Sequence, residues 1–532
     1  MNMKRIGALL LCGLLVFTVA MCGCTSDTAP ETTAQPQTDT NTNTNTNTQT
    51  QSQTKPQILT LGAYEDLKGF EGKSLVFDTL MKYNEDFSPK ANIIESWEVS
   101  GDKKTYTLHI KKGIKFTNGK EVNADVVKFS IEYWAPYRYC KYTKYLDTIE
   151  KVDDYTLKLK FKESYAPLLE ELPRIYLTLP ETVDDKGNIK EWIGTGPFIL
   201  KEYQKDQKAV LVRNDDYWNK AEMPKIEKVI WKVIPDENAR IMALKSGEID
   251  AIGITEHYLS VPAQRIPELQ KTPGLKVMIA DKGTVETYSF NYKKGPLTDK
   301  KVRQAVAYAI DREGISKNLF NGIPQPTGHL LLPEFKNGPK NAKPYSYNPE
   351  KARQLLAEAG YKDTDGDGIL DKDGKPLKLA LVTGDRQMER DTAVYIQKNL
   401  KDLGIDVEIA SLESKARKER AKKGDFDICR CHPWVAPPVR YLKWRCTDDG
   451  YDNYGCKFGV NDRVKELINI IYTGNDEEIK NAWNELWNIE YDFCPATGVY
   501  VRPRAFVFKD NVEGFRFDAD VGYIDLSNVV IK

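Results

Sequence analysis

Residues Glu95 to Glu132 read ESWEVSGDKKTYTLHIKKGIKFTNGKEVNADVVKFSIE, and three local signals follow one another inside that stretch. Thr105 to Ile110 alternates polar and apolar side chains at the period of a half-buried strand. Asn118-Gly119 is a turn, since both residues tolerate the positive φ a tight reversal needs. Asn123 stands as a helix N-cap ahead of an apolar face at Val126, Val127 and Ile131. The unit is strand, turn and capped helix, with His109 on the strand as a structural residue.

Upstream of this unit the chain changes character twice. Lys4-Arg5 precede an apolar run from Ile6 to Met21 that ends in Cys22-Gly23-Cys24, the make-up of a secretory signal. It resembles a lipoprotein signal, which makes residues 1–23 the removed segment and Cys24 the lipidated residue, although Met21 departs from the usual pattern. Residues 24–57 are mostly Thr, Asn, Gln and Pro; such a tract cannot bury enough apolar surface to offset chain entropy and is expected to act as a disordered tether. The folded part then lies on the extracellular face of the cell membrane, held there by lipid. At 532 residues the chain is too long for one domain, and 41% hydrophobic with 29% charged residues is ordinary for a globular protein. Lys+Arg and Asp+Glu both number 77, so there is no basic field for nucleic acid.

Downstream, further stretches occur in a set order: IGTGPF (193–198), RNDDYW (213–218), VIPDE (233–237), ALKSGEID (243–250), KVRQAVAYAID (301–311), then YNPEKA (347–352) and AGY (359–361). With the opening block they resemble the family 5 extracellular solute-binding proteins, the receptors of peptide and nickel ABC importers, over residues 58–532. That resemblance implies an α/β, two-lobed periplasmic-binding-protein-like type II clamp, with an extra subdomain in lobe 1, that closes on its ligand by a hinge. Residues 58–281 plus 497–532 are expected to form lobe 1 and residues 282–496 lobe 2, with crossings near Asp281–Phe290 and Pro495–Tyr500. Strand-like Lys228 to Val233 before helical Glu237 to Ser246, and strand-like Leu377 to Thr383 before helical Met388 to Leu403, fit such a fold. The implied partner is an ABC permease, with the receptor itself a monomer.

The ligand is read from a few short stretches. In DFDICRCHPWVAPPVR (425–440) a short apolar run enters a proline-rich loop, the usual setting for a site on a scaffold. Peptide receptors of the family resemble one another in an acid just after the loop tryptophan, which pairs with the peptide α-amine. Here Trp434 is followed by Val435, Ala436, Pro437, Pro438, Val439 and Arg440, with no acid. SYAPLLEELPRIY (164–176) is similar to the arginine motif of nickel receptors and puts Arg174 at the key position; a guanidinium holds a carboxylate bidentately, as an anionic metal chelate requires. PWVAP (433–437) is similar to their tryptophan motif. Arg138 with Tyr142 and Tyr145, and Tyr64 with Phe70, fall near further site positions of those receptors. Their metal-binding histidine has no counterpart in RCTDDGYDNYGC (445–456), which leaves His432, Cys431 or Cys429 as replacements. The expected ligand is a nickel chelate, with a di- or oligopeptide as the alternative.

Six cysteines of the folded part (Cys140, Cys429, Cys431, Cys446, Cys456 and Cys494) suit disulfides or buried thiols outside the cytoplasm, with thiolate ligation of a soft metal as the rival. An extracellular thiol enzyme would rest on Cys431 and His432, but neighbours on an extended segment point to opposite faces, so no enzyme is expected. Asp363, Asp365, Asp367 and Asp371 in DTDGDGILD have the spacing of a calcium loop, whereas position 12 is Gly374 instead of a bidentate glutamate. An acidic surface hairpin loop and a structural calcium site both remain open there.

Overall fold

The computed structural model describes residues 56–68, 72–134, 140, 142–253, 261–280, 283–431 (residue 431 by its backbone), 441–442, 462–518 and 523–532. Residues 56–532 form one compact unit containing two large mixed sheets. In the first sheet Ile58–Ala63 lies near the centre, parallel to Lys228–Val233 on one side and to Ala251–Ile252 on the other. Leu61, Gly62 and Ala63 are buried in succession, as expected for a parallel strand covered on both faces. The helix Glu237–Ser246 follows Lys228–Val233 as read from the sequence. Asp236 caps it by accepting from the Ala239 N–H (2.8 Å), and Gly247, at φ +82°, ends it.

The second sheet runs in the order Gln325–Pro326, Ala496–Val501, Val285–Phe290, Ile428–Cys431, Lys378–Gly384, Asp406–Leu412. Lys378–Gly384 is parallel to both Asp406–Leu412 and Ile428–Cys431, while Val285–Phe290 is antiparallel to both of its neighbours. Every residue of Val285–Phe290 and of Ala496–Val501 is buried. The helix Gln387–Lys401 follows Lys378–Gly384, close to the expected strand and helix.

The opening stretch builds a separate four-stranded antiparallel sheet, Ile94–Val99, Thr105–Ile110, Thr156–Phe161 and Leu146–Asp153 in that order. Tyr106, Leu108 and Ile110 face the core, the alternation read from the sequence. Asn123 Oδ1 accepts from the Val126 N–H (3.1 Å), and the helix Ala124–Trp134 buries Val126, Val127 and Ile131. His109 lies 3.7 Å from Glu98 across the strand pair.

A helical hairpin, Asp462–Thr473 and Asp476–Phe493, sits in the chain between two strands of the second sheet, yet it packs on the inserted sheet. The Ala166 N–H donates to the Tyr472 carbonyl (2.7 Å), and the Tyr472 ring stacks on Tyr165 and Tyr145 at 5.7 and 6.1 Å. Among the described residues no helix is long and apolar enough to cross a membrane.

The two sheets are joined by residues 280–284 and 502–504. The ladder of the second sheet runs to Val285 at one end and Val501 at the other, within the stretches 281–290 and 495–500 where the crossings are expected or directly beside them. The two links pair with each other: the Ala280 N–H donates to Arg504 O (2.8 Å) and the Arg502 N–H to Thr284 O (2.7 Å). Gly283 allows this approach, since a Cβ there would lie 2.6 Å from the Arg502 carbonyl oxygen.

Candidate ligand cleft

The strand registers place one edge of each sheet beside the links. In the second sheet, Thr287 faces Cys431 and Val285 faces Val501, so the start of Val285–Phe290 lies with the ends of Ile428–Cys431 and Ala496–Val501. The parallel strand Lys378–Gly384 ends at the same edge, and the helices Gln387–Lys401 and Ser414–Lys422 begin there. In the first sheet the corresponding edge holds the ends of Ile58–Ala63, Lys228–Val233 and Leu275–Ile279, with Tyr64 directly beyond the first of them. Ligands of open α/β sheets bind outside the carboxyl ends of such strands. Residues 432–440, with His432 and Trp434, leave from that edge and lie outside the described residues, as do Phe70, Arg138, Cys24 and the side chain of Cys431.

The edge of the second sheet carries a buried charge network that was not read from the sequence. Arg430 donates to Glu286 through Nε (2.5 Å) and Nη2 (3.1 Å), and its Nη2 also reaches Glu389 (2.8 Å). Arg502 lies 3.3 Å from Glu286 and 3.5 Å from Glu389. Arg502 begins the second link and Glu286 lies just after the first, Glu389 is in the first turn of the helix Gln387–Lys401, and Arg430 is the next-to-last residue of the strand Ile428–Cys431. Burial works against charge on Arg430, but Glu286 and Glu389 hold its pKa well above the ordinary arginine range. Burial likewise opposes ionisation of Glu389, and Arg430, Arg502, Arg386 and Arg417 outweigh it, holding its carboxyl below the ordinary range. The available signal was a charged residue inside each of two apolar strands, Glu286 in VETYSF and Arg430 in ICRC.

The other expected site residues are spread over several places. Arg174 is half-buried at the end of the short turn Leu172–Arg174. Glu171, three residues earlier, accepts from the Tyr142 N–H (3.3 Å). Tyr142 is fully buried and its hydroxyl donates to Ile131 O (2.8 Å), while Tyr145 stacks on Tyr165 at 5.0 Å. Both rings pack around the inserted sheet, Tyr142 buried and Tyr145 partly exposed. Tyr64 is 48% exposed with the Arg240 guanidinium 5.7 Å from its ring centre. Cys429 is buried among Val382, Ala421 and Phe426, an apolar setting. Asp363, Asp365 and Asp371 bring one carboxylate oxygen each within 4.8 Å of one another, a group that does not include Asp367. Asp363 accepts from the Gly366 and Gly368 N–H groups, and the loop is closed by the hairpin Asp371–Lys372 and Lys375–Pro376.

Two of the ordered sequence motifs meet at Asp78, which is 1% exposed. Its carboxylate accepts from Thr195 Oγ1 (3.0 Å) of IGTGPF, and from Tyr217 OH (3.2 Å) and Trp218 Nε1 (2.8 Å) of RNDDYW. Residues 88–452 match the model of the bacterial extracellular solute-binding proteins, family 5. The chain belongs to that family. This family 5 protein is 31% identical over 484 residues to the oligopeptide-binding protein AppA of Bacillus subtilis, with 84% of each chain covered. It is 28% identical over 376 residues to the nickel-binding periplasmic protein of Escherichia coli, covering 69% of this chain and 71% of that one. Its fold matches that of NikA from Brucella suis, solved with Fe(III)-EDTA, with a TM-score of 0.81 at 24% identity over 89% of this chain and all of the other. The family 5 protein is thus a two-lobed, substrate-binding component of an ABC importer, and its relatives are binding proteins, not enzymes.

Proposed function

We propose that this receptor captures nickel as a small anionic chelate between its lobes and delivers it to an ABC permease. The observation that carries the reading is the run after Trp434: Val435 to Arg440 holds no carboxylate and ends on a base. A closed site for a free peptide N-terminus needs a counter-charge for the α-amine, because a buried unpaired cation is costly. Arg174 supplies the fork for a chelate carboxylate, Trp434 a cover for the chelator, and His432 the imidazole for the metal. The likeness to the Escherichia coli nickel-binding protein supports this reading. Lobe 1 comprises residues 58–279 with 505–532, and lobe 2 residues 285–501. Cys24 carries the lipid, the tract to residue 57 is the tether, and the receptor works as a monomer.

Oligopeptide capture is the second reading, favoured by the 31% identity to AppA. Titration calorimetry with Ni(II)–histidine and Ni(II)–citrate against a dipeptide and oligopeptide panel separates the two. Binding of a nickel complex that Arg174→Ala weakens is the expected result. Binding of peptides alone, untouched by Arg174→Ala, overturns the nickel reading. For the anchor, Cys24→Ser is expected to release the protein from the membrane fraction.

A further inference from the structure

The helix Asp476–Phe493 is an arm of lobe 2. Its base is fixed by Arg303, on a helix packed against the second sheet, which donates to Phe493 O through Nη2 (2.7 Å) and to Cys494 O through Nε (3.1 Å). The segment 329–345 is fixed to the same arm. His329 Nδ1 lies 2.9 Å from Tyr491 OH, Trp487 Nε1 donates to Asn337 O (2.9 Å), and Tyr345 OH donates to Tyr491 O (2.5 Å). Helical hairpin and segment thus form one body with lobe 2.

That body reaches lobe 1 at two places away from the links. At the hairpin tip, Tyr472 O accepts from the Ala166 N–H (2.7 Å) and Gly474 O from Lys103 Nζ (3.0 Å). At the segment, the rings of Phe335 and Phe87 meet edge to face, with centres 4.7 Å apart and planes at 89°. Beside them the Lys336 N–H donates to Asp86 O (2.8 Å), and Lys336 Nζ reaches Glu170 (3.1 Å).

Phe87 is an unusual residue for its position. It lies in the turn between Met81–Tyr83 and Pro89–Ala91, at φ +65°. Glycine takes that conformation freely, whereas a bulky aromatic is strained in it. Its ring is 2% exposed and packs on Tyr83 (5.3 Å) as well as on Phe335. Backbone strain of this kind persists where surrounding contacts over-determine it. One of those contacts here belongs to the other lobe. A contact made only when two lobes approach favours their closed arrangement, and a ligand that needs this arrangement binds in proportion to its population.

We propose that Phe87 and Phe335 form a closing latch between the lobes, with the hairpin tip as its second contact. The latch sets the closed fraction of the receptor, and so the affinity for every ligand alike, with no part in choosing among ligands. This rests on the lobe boundaries given under the proposed function, but not on the ligand being nickel.

Phe87→Gly is the deciding variant, because it removes the ring while suiting the positive φ of the turn. Small-angle scattering of the whole protein without ligand, and calorimetry, compare it with wild type. The calorimetric probes are Ni(II)–histidine, Ni(II)–citrate and two oligopeptides of different sequence. Phe87→Gly is expected to enlarge the ligand-free radius of gyration and to weaken each probe that binds wild type by one common factor, about two- to tenfold. At saturating probe its radius of gyration is expected to return to the wild-type value. An unchanged ligand-free radius, unchanged affinities, or losses that differ from probe to probe overturn the latch. If Phe87→Gly does not fold, Phe335→Leu, which keeps an apolar side chain and loses the ring edge, is judged by the same readouts. If peptides bind and no nickel complex does, the nickel reading falls while the peptide pair still judges the latch; if no probe binds, the ligand-free radius decides.

Discussion

Oppositely charged side chains meet in two regions of this receptor, and the regions differ in what water can do there. At the edge of the second sheet, the side chains of Glu286, Glu389, Arg430 and Arg502 are at most 6% exposed and hold one another. At the seam between the inserted sheet and the helical hairpin, Lys103 meets Asp476 (2.8 Å). That seam borders an open groove of about 500 Å³ walled by Tyr106, Leu169 and Trp483, and the Asp476 side chain is 99% exposed. The first region cannot lose a member without stranding a charge, whereas in the second water replaces a lost partner. One is a fixed frame for the links and the site strand, and the other is an exposed contact that solvent screens.

Glu286→Gln tests the frame most severely. It leaves Arg430 and Arg502 sharing Glu389, and the expected loss is about 3–5 kcal/mol, read from denaturant midpoints. A loss near zero would mean that the network is not what fixes this edge. The same network sets a pH dependence. The Glu389 carboxyl lies below its unfolded range, so its stabilisation is present above the unfolded pKa and fades as pH falls through the lower folded value. Stability of wild type should therefore fall at acid pH with a component that Glu389→Gln lacks; parallel pH profiles would contradict it.

Gly283→Ala acts between the two extremes. The added methyl meets the Arg502 carbonyl oxygen at 2.6 Å and Val501 Cγ1 at 3.3 Å, so the paired links must spread. The expected cost is about 1–3 kcal/mol, as for overpacking elsewhere. Calorimetry with the wild-type ligand should show weaker binding as well if the expected hinge closure turns on these links. Wild-type melting and affinity in this variant would show that the links have slack.

Local pattern revealed much of the fold and less of the cleft. Thr105–Ile110, the Asn123 cap and the helix Glu237–Ser246 were legible because each is decided by residues within a few positions. The ends of Val285–Phe290 and Ala496–Val501 were not, because a strand buried on both faces shows no alternation to mark where it stops. The stacking of Tyr145, a candidate ligand wall, on Tyr472, more than 300 positions along the chain, is a tertiary fact with no local trace. Glu286 and Arg430 were visible as charges in apolar segments, a sign of buried pairing that names no partner, whereas Glu389 stands among polar residues in GDRQMERD and gave no such sign.

The smallest expected effect is at the seam, where Asp476→Asn separates charge from shape. Lys103 Nζ keeps its second acceptor, the Gly474 carbonyl (3.0 Å), so the ammonium is not stranded. The helix Asp476–Phe493 keeps its start as well, because Asn475 accepts from the Glu477 and Glu478 N–H groups and Glu478 accepts from the Asn475 N–H. What disappears is one exposed attraction and one acid in the first turn, together within about 1 kcal/mol. Chemical denaturation at low and at molar salt should show that difference shrinking as screening rises. A loss as large as that of Glu286→Gln, unmoved by salt, would mean that the seam is as dry as the sheet edge and that the hairpin is part of the frame.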